Sequence, residues 1–272
     1  MTTTLRPTGP LQQLADGGRS RHFRICVNSR PVGEIDLATD ERFGPRVARV
    51  RALRVDEPDR GRGRGTVAAL AAEEVARGWG CRRIEASVPA DAPVALRLGR
   101  ALGYVERNRL MALHLDRAAP SLPDGPVRPM TPAEYGPWRT TSEEAYVGDW
   151  IERGVPEDEA RAKAERDYLR LLPDGLDTPG AAISVLEHRG TVVGTIWVAH
   201  GAESSYVYEV EVVPEHRGHG HGRTLMRHAA AQALAAGHRT LGLNVFLGNT
   251  PALRLYESLG FESTVHHLYK PL

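Results

Sequence analysis

Apolar positions recur along the chain with two periods. β-Branched and aromatic residues from Tyr206 to Val213, and again from Leu241 to Leu247, predict strands. Between them Leu225, Ala229, Ala233 and Leu234 form a stripe at helical spacing that ends at Gly237. Asn249 is placed to cap a second helix, which runs through Leu259 and stops at Gly260, and His266 to Tyr269 closes the pattern with a last strand. Upstream, a short strand over 127–130 precedes a helical region from Pro132 to Leu172, inside which an Ala-, Glu- and Arg-rich segment starts at Pro156-Glu157-Asp158-Glu159. Near the N-terminus, His22 to Val27 and Val32 to Ala38 read as a hairpin.

The same succession of strand, Gly-rich turn, helix, strand, helix and strand occurs twice. Arg60-Gly61-Arg62-Gly63-Arg64-Gly65 echoes Arg217-Gly218-His219-Gly220-His221-Gly222 at an offset of 157 positions, and the offset holds without a gap from Gly80 and Gly237 to Leu102-Gly103-Tyr104 and Leu259-Gly260-Phe261. The chain therefore reads as a duplication, α/β in class, with a mixed sheet and flanking helices in each copy. Its expected domains are 1–118 and 127–272, joined by the Pro-rich stretch 119–126. Only the second copy carries the helical region over 132–172, so the first is expected to be a reduced domain.

Composition narrows the function classes. A length of 272 residues suits two cores. A formal charge of +1 argues against binding nucleic acid or a membrane surface through overall charge. No apolar run approaches the roughly 18 residues of a spanning helix. Cys26 and Cys81 form neither a disulfide framework nor a CxxC motif, and no apolar leader opens the chain, so a reducing cytoplasm is the expected location.

The second Gly-rich turn joins a strand to a helix, which directs consecutive backbone N–H groups and the positive helix end into one concavity, an arrangement that binds phosphate. From His216 to Tyr256 there is no Asp or Glu, whereas Arg217, Arg223, Arg227, Arg239 and Arg254 all occur there. The expected ligand is a polyanion. Neither the GxxxxGK[ST] of a P-loop nor a GxGxxG followed by an acidic residue is present at this turn. His216, His219 and His221 lack a completing Cys or carboxylate, and no metal is expected.

Arg217-x-x-Gly220-x-Gly222 after a strand, followed by Asn249-x-x-Ala252-x-x-x-Tyr256-x-x-x-Gly260-Phe261, resembles the signature of the GNAT superfamily of N-acetyltransferases. The resemblance covers Val127 to Leu272 as a whole domain and Arg21 to Leu115 as a reduced one. It implies that Arg217, Gly218, His219, Gly220, His221, Gly222 and Arg223 cradle the diphosphate of acetyl-CoA, and that a backbone N–H at Val212 or Val213 polarises the acetyl carbonyl. It also implies that Asn249 contacts the pantetheine arm and that Tyr256 protonates the departing sulfur. Glu209 and Glu211, two apart on a strand and so on one face, would stand beside the thioester, and one of them is the candidate base toward an ammonium acceptor. Trp138, Tyr146 and Trp150, with Tyr135 and Tyr168, lie in the region that walls the acceptor pocket in the family. His266 and His267 are left outside the catalytic set.

At the offset of 157, Glu209 falls on Ala52, Glu211 on Arg54, Asn249 on Ala92 and Tyr256 on Gly99, so the first copy loses every proton-handling position while keeping its turn. The expectation is an acetyl-CoA-dependent N-acetyltransferase acting on a primary amine of a small molecule or peptide. A non-catalytic acyl-CoA sensor or interaction module is the alternative. Pairing of such domains in the family implies either a monomer with its two copies paired or a homodimer.

Overall fold

A computed structural model describes residues 2–14, 17–115 and 127–272, and the expected linker 119–126 lies outside these residues. In the first half run β1 (Thr3–Pro7), β2 (Gln12–Gln13), β3 (Arg19–Val27), β4 (Arg30–Asp40), β5 (Gly44–Val55), α1 (Arg64–Gly78), β6 (Arg83–Pro89), α2 (Pro93–Ala101) and β7 (Val105–His114). Then follow β8 (Val127–Pro129), α3 (Pro132–Ile151), α4 (Glu157–Leu171), β9 (Ala181–His188), β10 (Thr191–His200), β11 (Ser205–Val212), α5 (His221–Ala235), β12 (Thr240–Phe246), α6 (Thr250–Ser258) and β13 (Glu262–Pro271). The strand–turn–helix–strand–helix–strand succession is present in both copies, and β3 pairs antiparallel with β4 as the expected hairpin.

The chain divides into two compact units at places other than the Pro-rich stretch. One comprises Met1–Arg109 and Val265–Leu272, the other Leu110–Thr264. The copies thus exchange their last strands: β13 pairs antiparallel with β6, from Val265 opposite Pro89 to Pro271 opposite Arg83, while β7 runs beside β12. The internal repeat explains why this substitution works. Leu115 N–H donates to the Arg239 carbonyl at 2.8 Å and Leu272 N–H donates to the Arg82 carbonyl at 2.9 Å, the same bond at the same offset with the copies interchanged.

In the first unit the strands run β1, β3, β4, β5, β6, β13. Ala72 and Ala76 of α1 pack on Ile35, Leu37, Ala48 and Ile84, with Leu268 of β13 closing the cluster.

In the second unit the order is β7, β12, β11, β10, β9, β8, and the two faces of the sheet are covered differently. Alternation along β10 sends Ile196 and Val198 toward Leu225, Met226, Ala229 and Ala233 of α5, while Trp197 turns to the opposite cluster with Trp138 of α3 and Tyr168 of α4. Helix α3 starts on a capping box, in which Thr131 and Glu134 satisfy each other's backbone N–H, and Arg128 clamps Glu134 at 2.7 Å and holds its carboxyl down at about 2. Helix α4 opens with Glu157, Asp158 and Glu159 against its positive end. Among the described residues no helix is long and apolar enough to cross a membrane.

Candidate functional site

β11 and β12 pair in parallel only from Ser205 opposite Leu241 to Val207 opposite Leu243. Just there β11 carries a bulge: Val207 faces Val198 and Glu209 faces Trp197, so Tyr208 is the extra residue. Beyond these pairs lies a cavity of about 500 Å³, lined by Glu209 and Glu211 of β11, Asn244 and Phe246 of β12, and Tyr146 and Tyr168 of the α3–α4 pair. Arg217, Asn249 and Tyr256 line it too. The first copy has the corresponding bulge at Arg51, with Val50 facing Leu37 and Ala52 facing Asp36, so the backbone device survives where the side chains have changed.

Glu209 is half-buried and surrounded by donors. Trp138 Nε1 donates to its Oε1 at 2.8 Å, Thr195 Oγ1 to the same oxygen at 3.5 Å, and Ser142 Oγ to its Oε2. Burial outweighs the donors and, helped by the neighbouring Glu211 charge, lifts its carboxyl to about 7. Glu211 is exposed.

Tyr256 is buried, its ring centroid 5.8 Å from that of Phe261, and burial pushes its hydroxyl up to about 12. Among the described residues no hydrogen bond engages that hydroxyl. Asn249 caps α6 by accepting from the Ala252 N–H at 3.2 Å through Oδ1, which leaves its amide NH2 as a donor.

The Gly-rich turn has a backbone that only glycine adopts without strain, with Gly218 at φ +80° and Gly220 at φ +85°. Arg217 Nε ties it to the Val212 carbonyl at 2.9 Å, and Arg223 reaches Ser258 at 2.7 Å. A Cβ at Gly222 would meet Leu255 at 3.1 Å, so α5 and α6 approach closely where the turn enters the helix. Among the described residues the N–H groups from Gly218 to Arg223 find no acceptor in the protein. Unengaged N–H groups at the start of a helix suit a multiply charged phosphate group. In the first copy Arg60 bonds the Val55 carbonyl at 2.9 Å, and Gly61 and Gly63 take φ +71° and +73°.

Of the residues singled out from sequence, Glu209, Glu211, Arg217, Asn249 and Tyr256 converge on the one cavity. Gly218, His219, Gly220, His221, Gly222 and Arg223 form the adjoining turn and the start of α5. Val213 differs from expectation: its N–H already donates to the Val193 carbonyl at 3.0 Å, which leaves Val212 as the candidate. His188 joins His216, His219 and His221 around the turn, with ring centroids 5.2 to 6.3 Å from that of His221, whose basicity burial and these neighbours depress. Among the described residues no group of three or more His, Cys, Asp or Glu is disposed to hold a metal. His266 and His267 belong to the first unit, bonded to Glu106 at 2.9 Å and to Ser87 at 2.9 Å.

Sequence reasoning did not assign Trp138, Ser142 and Thr195 to Glu209. The first two stand four apart on α3, the spacing that puts two donors on one helix face. Tyr146 and Tyr168 line the cavity as expected, whereas Trp150 stands behind it, edge-on to Phe246 at 5.1 Å.

Residues 3–104 and 141–261 match the family model described as the acetyltransferase (GNAT) family. The chain is 30% identical over 262 residues to a mycothiol acetyltransferase of Streptomyces griseus, covering 91% of this chain and 78% of that protein. It is 29% identical over 143 residues to the uncharacterized N-acetyltransferase YycN of Bacillus subtilis, covering 50% of this chain and 91% of the relative. A solved tandem GNAT protein from the clavulanic acid biosynthesis pathway superposes with a TM-score of 0.50 at 22% identity, over 93% of this chain and 83% of that one, a likeness of fold.

Proposed function

The chain belongs to the GNAT acetyltransferase family as a tandem acyltransferase, and from that premise we propose that its C-terminal copy moves the acetyl group of acetyl-CoA to a primary amine of a small molecule or peptide. The observation that carries this reading is the convergence of Glu209, Glu211, Arg217, Asn249 and Tyr256 on one cavity beside a turn with unengaged N–H groups.

The N–H groups of Gly218 to Arg223 hold the diphosphate, aided by the positive end of α5. The Asn249 amide, with its oxygen committed to the cap, donates to the pantetheine arm. The Val212 N–H polarises the acetyl carbonyl. Glu209, lifted to about 7, is matched to removing a proton from an ammonium at neutral pH, with the exposed Glu211 as the alternative base. Tyr256, kept as a phenol, supplies a proton to the departing thiolate. In the first copy the turn geometry persists but Ala52, Arg54, Ala92 and Gly99 occupy the proton-handling positions, which favours a non-catalytic role for that copy.

The test is a calorimetric titration of acetyl-CoA into the CoA-free protein and its Arg217→Glu and Arg60→Glu variants, followed by thiol release with a panel of primary amines. Likeness to a mycothiol acetyltransferase puts the amine precursor of mycothiol first on that panel, with diamines and short peptides bearing a free N-terminus beside it. One site abolished by Arg217→Glu, with amine-dependent thiol release, is the expected result. Binding without release across the panel would favour an acyl-CoA sensor, and no binding would overturn the reading.

A further inference from the structure

Ser142 is the middle member of a chain of oxygens. Its Oγ donates to Glu209 Oε2 and lies 2.6 Å from the Tyr168 hydroxyl. Ser142 and Tyr168 are 3% and 4% exposed, and both line the cavity. On the other side of the carboxylate, Oε1 accepts from the Trp138 indole.

Counting protons fixes the direction of this chain. An indole nitrogen only donates, so Oε1 stays an acceptor and a proton taken up by Glu209 resides on Oε2. A serine hydroxyl has one proton. While Glu209 is ionised, that proton points at Oε2, so the contact between Ser142 and Tyr168 requires Tyr168 to be the donor. The phenol oxygen is then left to accept a hydrogen bond from the cavity. Once Glu209 is protonated the order reverses: Oε2–H donates to Ser142, Ser142 donates to Tyr168, and the Tyr168 proton turns toward the cavity.

We propose that Tyr168 and Ser142 form a two-hydroxyl wire that carries the acceptor's ammonium proton to Glu209, with Tyr168 the group that touches the amine. The inference rests on the acetyltransferase reading above. In the transfer an N–H bond of the ammonium breaks and a Tyr168 O–H bond forms, the former Tyr168 proton passes to Ser142, and the former Ser142 proton passes to Oε2. The amine is left neutral, the carboxylate becomes a carboxylic acid, and both hydroxyls end neutral with their donor order reversed.

The surroundings suit this traffic. The Arg139 guanidinium carbon stands 4.5 Å from the Tyr168 ring centroid, where it steadies electron density on the phenol during the shift. Burial keeps Tyr168 at about 12, so it relays without resting as a phenolate, while burial and Glu211 keep Glu209 at about 7. The groups facing the wire are Glu211 of β11, Thr195 of β10, Trp138, Arg139 and Glu143 of α3, and Tyr168 itself on α4.

Ultraviolet Raman tests the reversal without any acceptor, because the intensity ratio of the tyrosine Fermi doublet follows whether the phenol oxygen accepts or donates. The Tyr168 signal is isolated by difference from Tyr168→Phe, and the Glu209 carboxyl stretch in infrared spectra by difference from Glu209→Gln. Expected is a Tyr168 doublet that switches over the same pH span as the carboxyl band, near pH 7. In Ser142→Ala the carboxyl still titrates but the doublet no longer follows it, and Ser142→Thr keeps the coupling. Glu209→Gln, whose amide donates to Ser142 at every pH, holds the doublet in the low-pH state of the wild type and tests the idea even if Ser142→Ala fails to fold. A doublet that ignores Glu209 in the wild type, or follows it in Ser142→Ala, overturns the wire. Thiol release from wild type with a pH-insensitive doublet sinks the wire alone, whereas a switching doublet with no thiol release across the amine panel sinks the acetyltransferase reading instead.

Discussion

A Cβ on Gly194 would stand 2.6 Å from the carbonyl oxygen of Glu211, and 3.1 Å from Leu225. The β10–β11 pair is thus drawn tight where Gly194 lies opposite Val212, next to Glu211. Gly194→Ala forces the strands apart and is expected to lose about 1–3 kcal/mol, read as a lower Tm and lower midpoint in urea. Gly148→Ala on α3, where a Cβ meets nothing within 4 Å, is the control, expected to gain about 0.5–1 kcal/mol. Equal behaviour of the two variants would refute the close approach.

Glu209→Gln should exchange activity for stability in a pH-dependent way. Burial raises this carboxyl above its ordinary value of 4.5 to about 7, so the fold favours the protonated form. The contribution is complete below the ordinary glutamate range and is lost as pH rises through about 7. At pH 8 the variant is expected to exceed wild type by about 1–2 kcal/mol, and at pH 4 the two should converge. Denaturation at both pH values decides it, and a wild type more stable at pH 8 would reverse the sign.

Tyr256→Phe keeps the ring packed against Phe261 and removes only the hydroxyl. The expected outcome is a fall in kcat of about 10²-fold or more, with KM for acetyl-CoA nearly unchanged. An unaltered kcat removes Tyr256 from the reaction.

Lys163 is 6% exposed, is ion-paired with Asp167, and holds its ammonium 5.3 Å from the Tyr146 ring centroid and 5.1 Å from that of Trp150. Asp167 also accepts from the Tyr146 hydroxyl at 2.9 Å and lines the cavity. Lys163→Met removes the most buried partner of the carboxylate, which keeps the Tyr146 hydroxyl and Arg170 at 3.4 Å, and is expected to destabilise by about 1–2 kcal/mol, part of which Lys163→Met with Asp167→Leu should restore. A double variant as unstable as the single one would mean that packing of the lysine, not the charge left behind, sets the loss.

Local pattern made much of this molecule legible in its sequence. The turn, the helix stripe through Leu225 and the cap at Asn249 are set by neighbours a few positions away, and the 157-residue repeat exposed both copies. Strand partnership was not legible. β7 and β13 are equivalents at the repeat offset, so either can complete either sheet, and no residue in them names its partner. The setting of Glu209 was half legible: the motif marks the carboxylate, but Trp138, Ser142 and Tyr168 reach it from helices with no motif of their own, and only folding brings residues 71, 67 and 41 positions away to one site.

The exchanged strands also reverse the order in which the protein can be finished as it is made. The second unit has all of its chain once Thr264 has left the ribosome, but the first, although begun earlier, still lacks Val265–Leu272. Translation therefore leaves an unfinished sheet edge at β6 for as long as the rest of the chain takes to emerge, and the half made first becomes whole last.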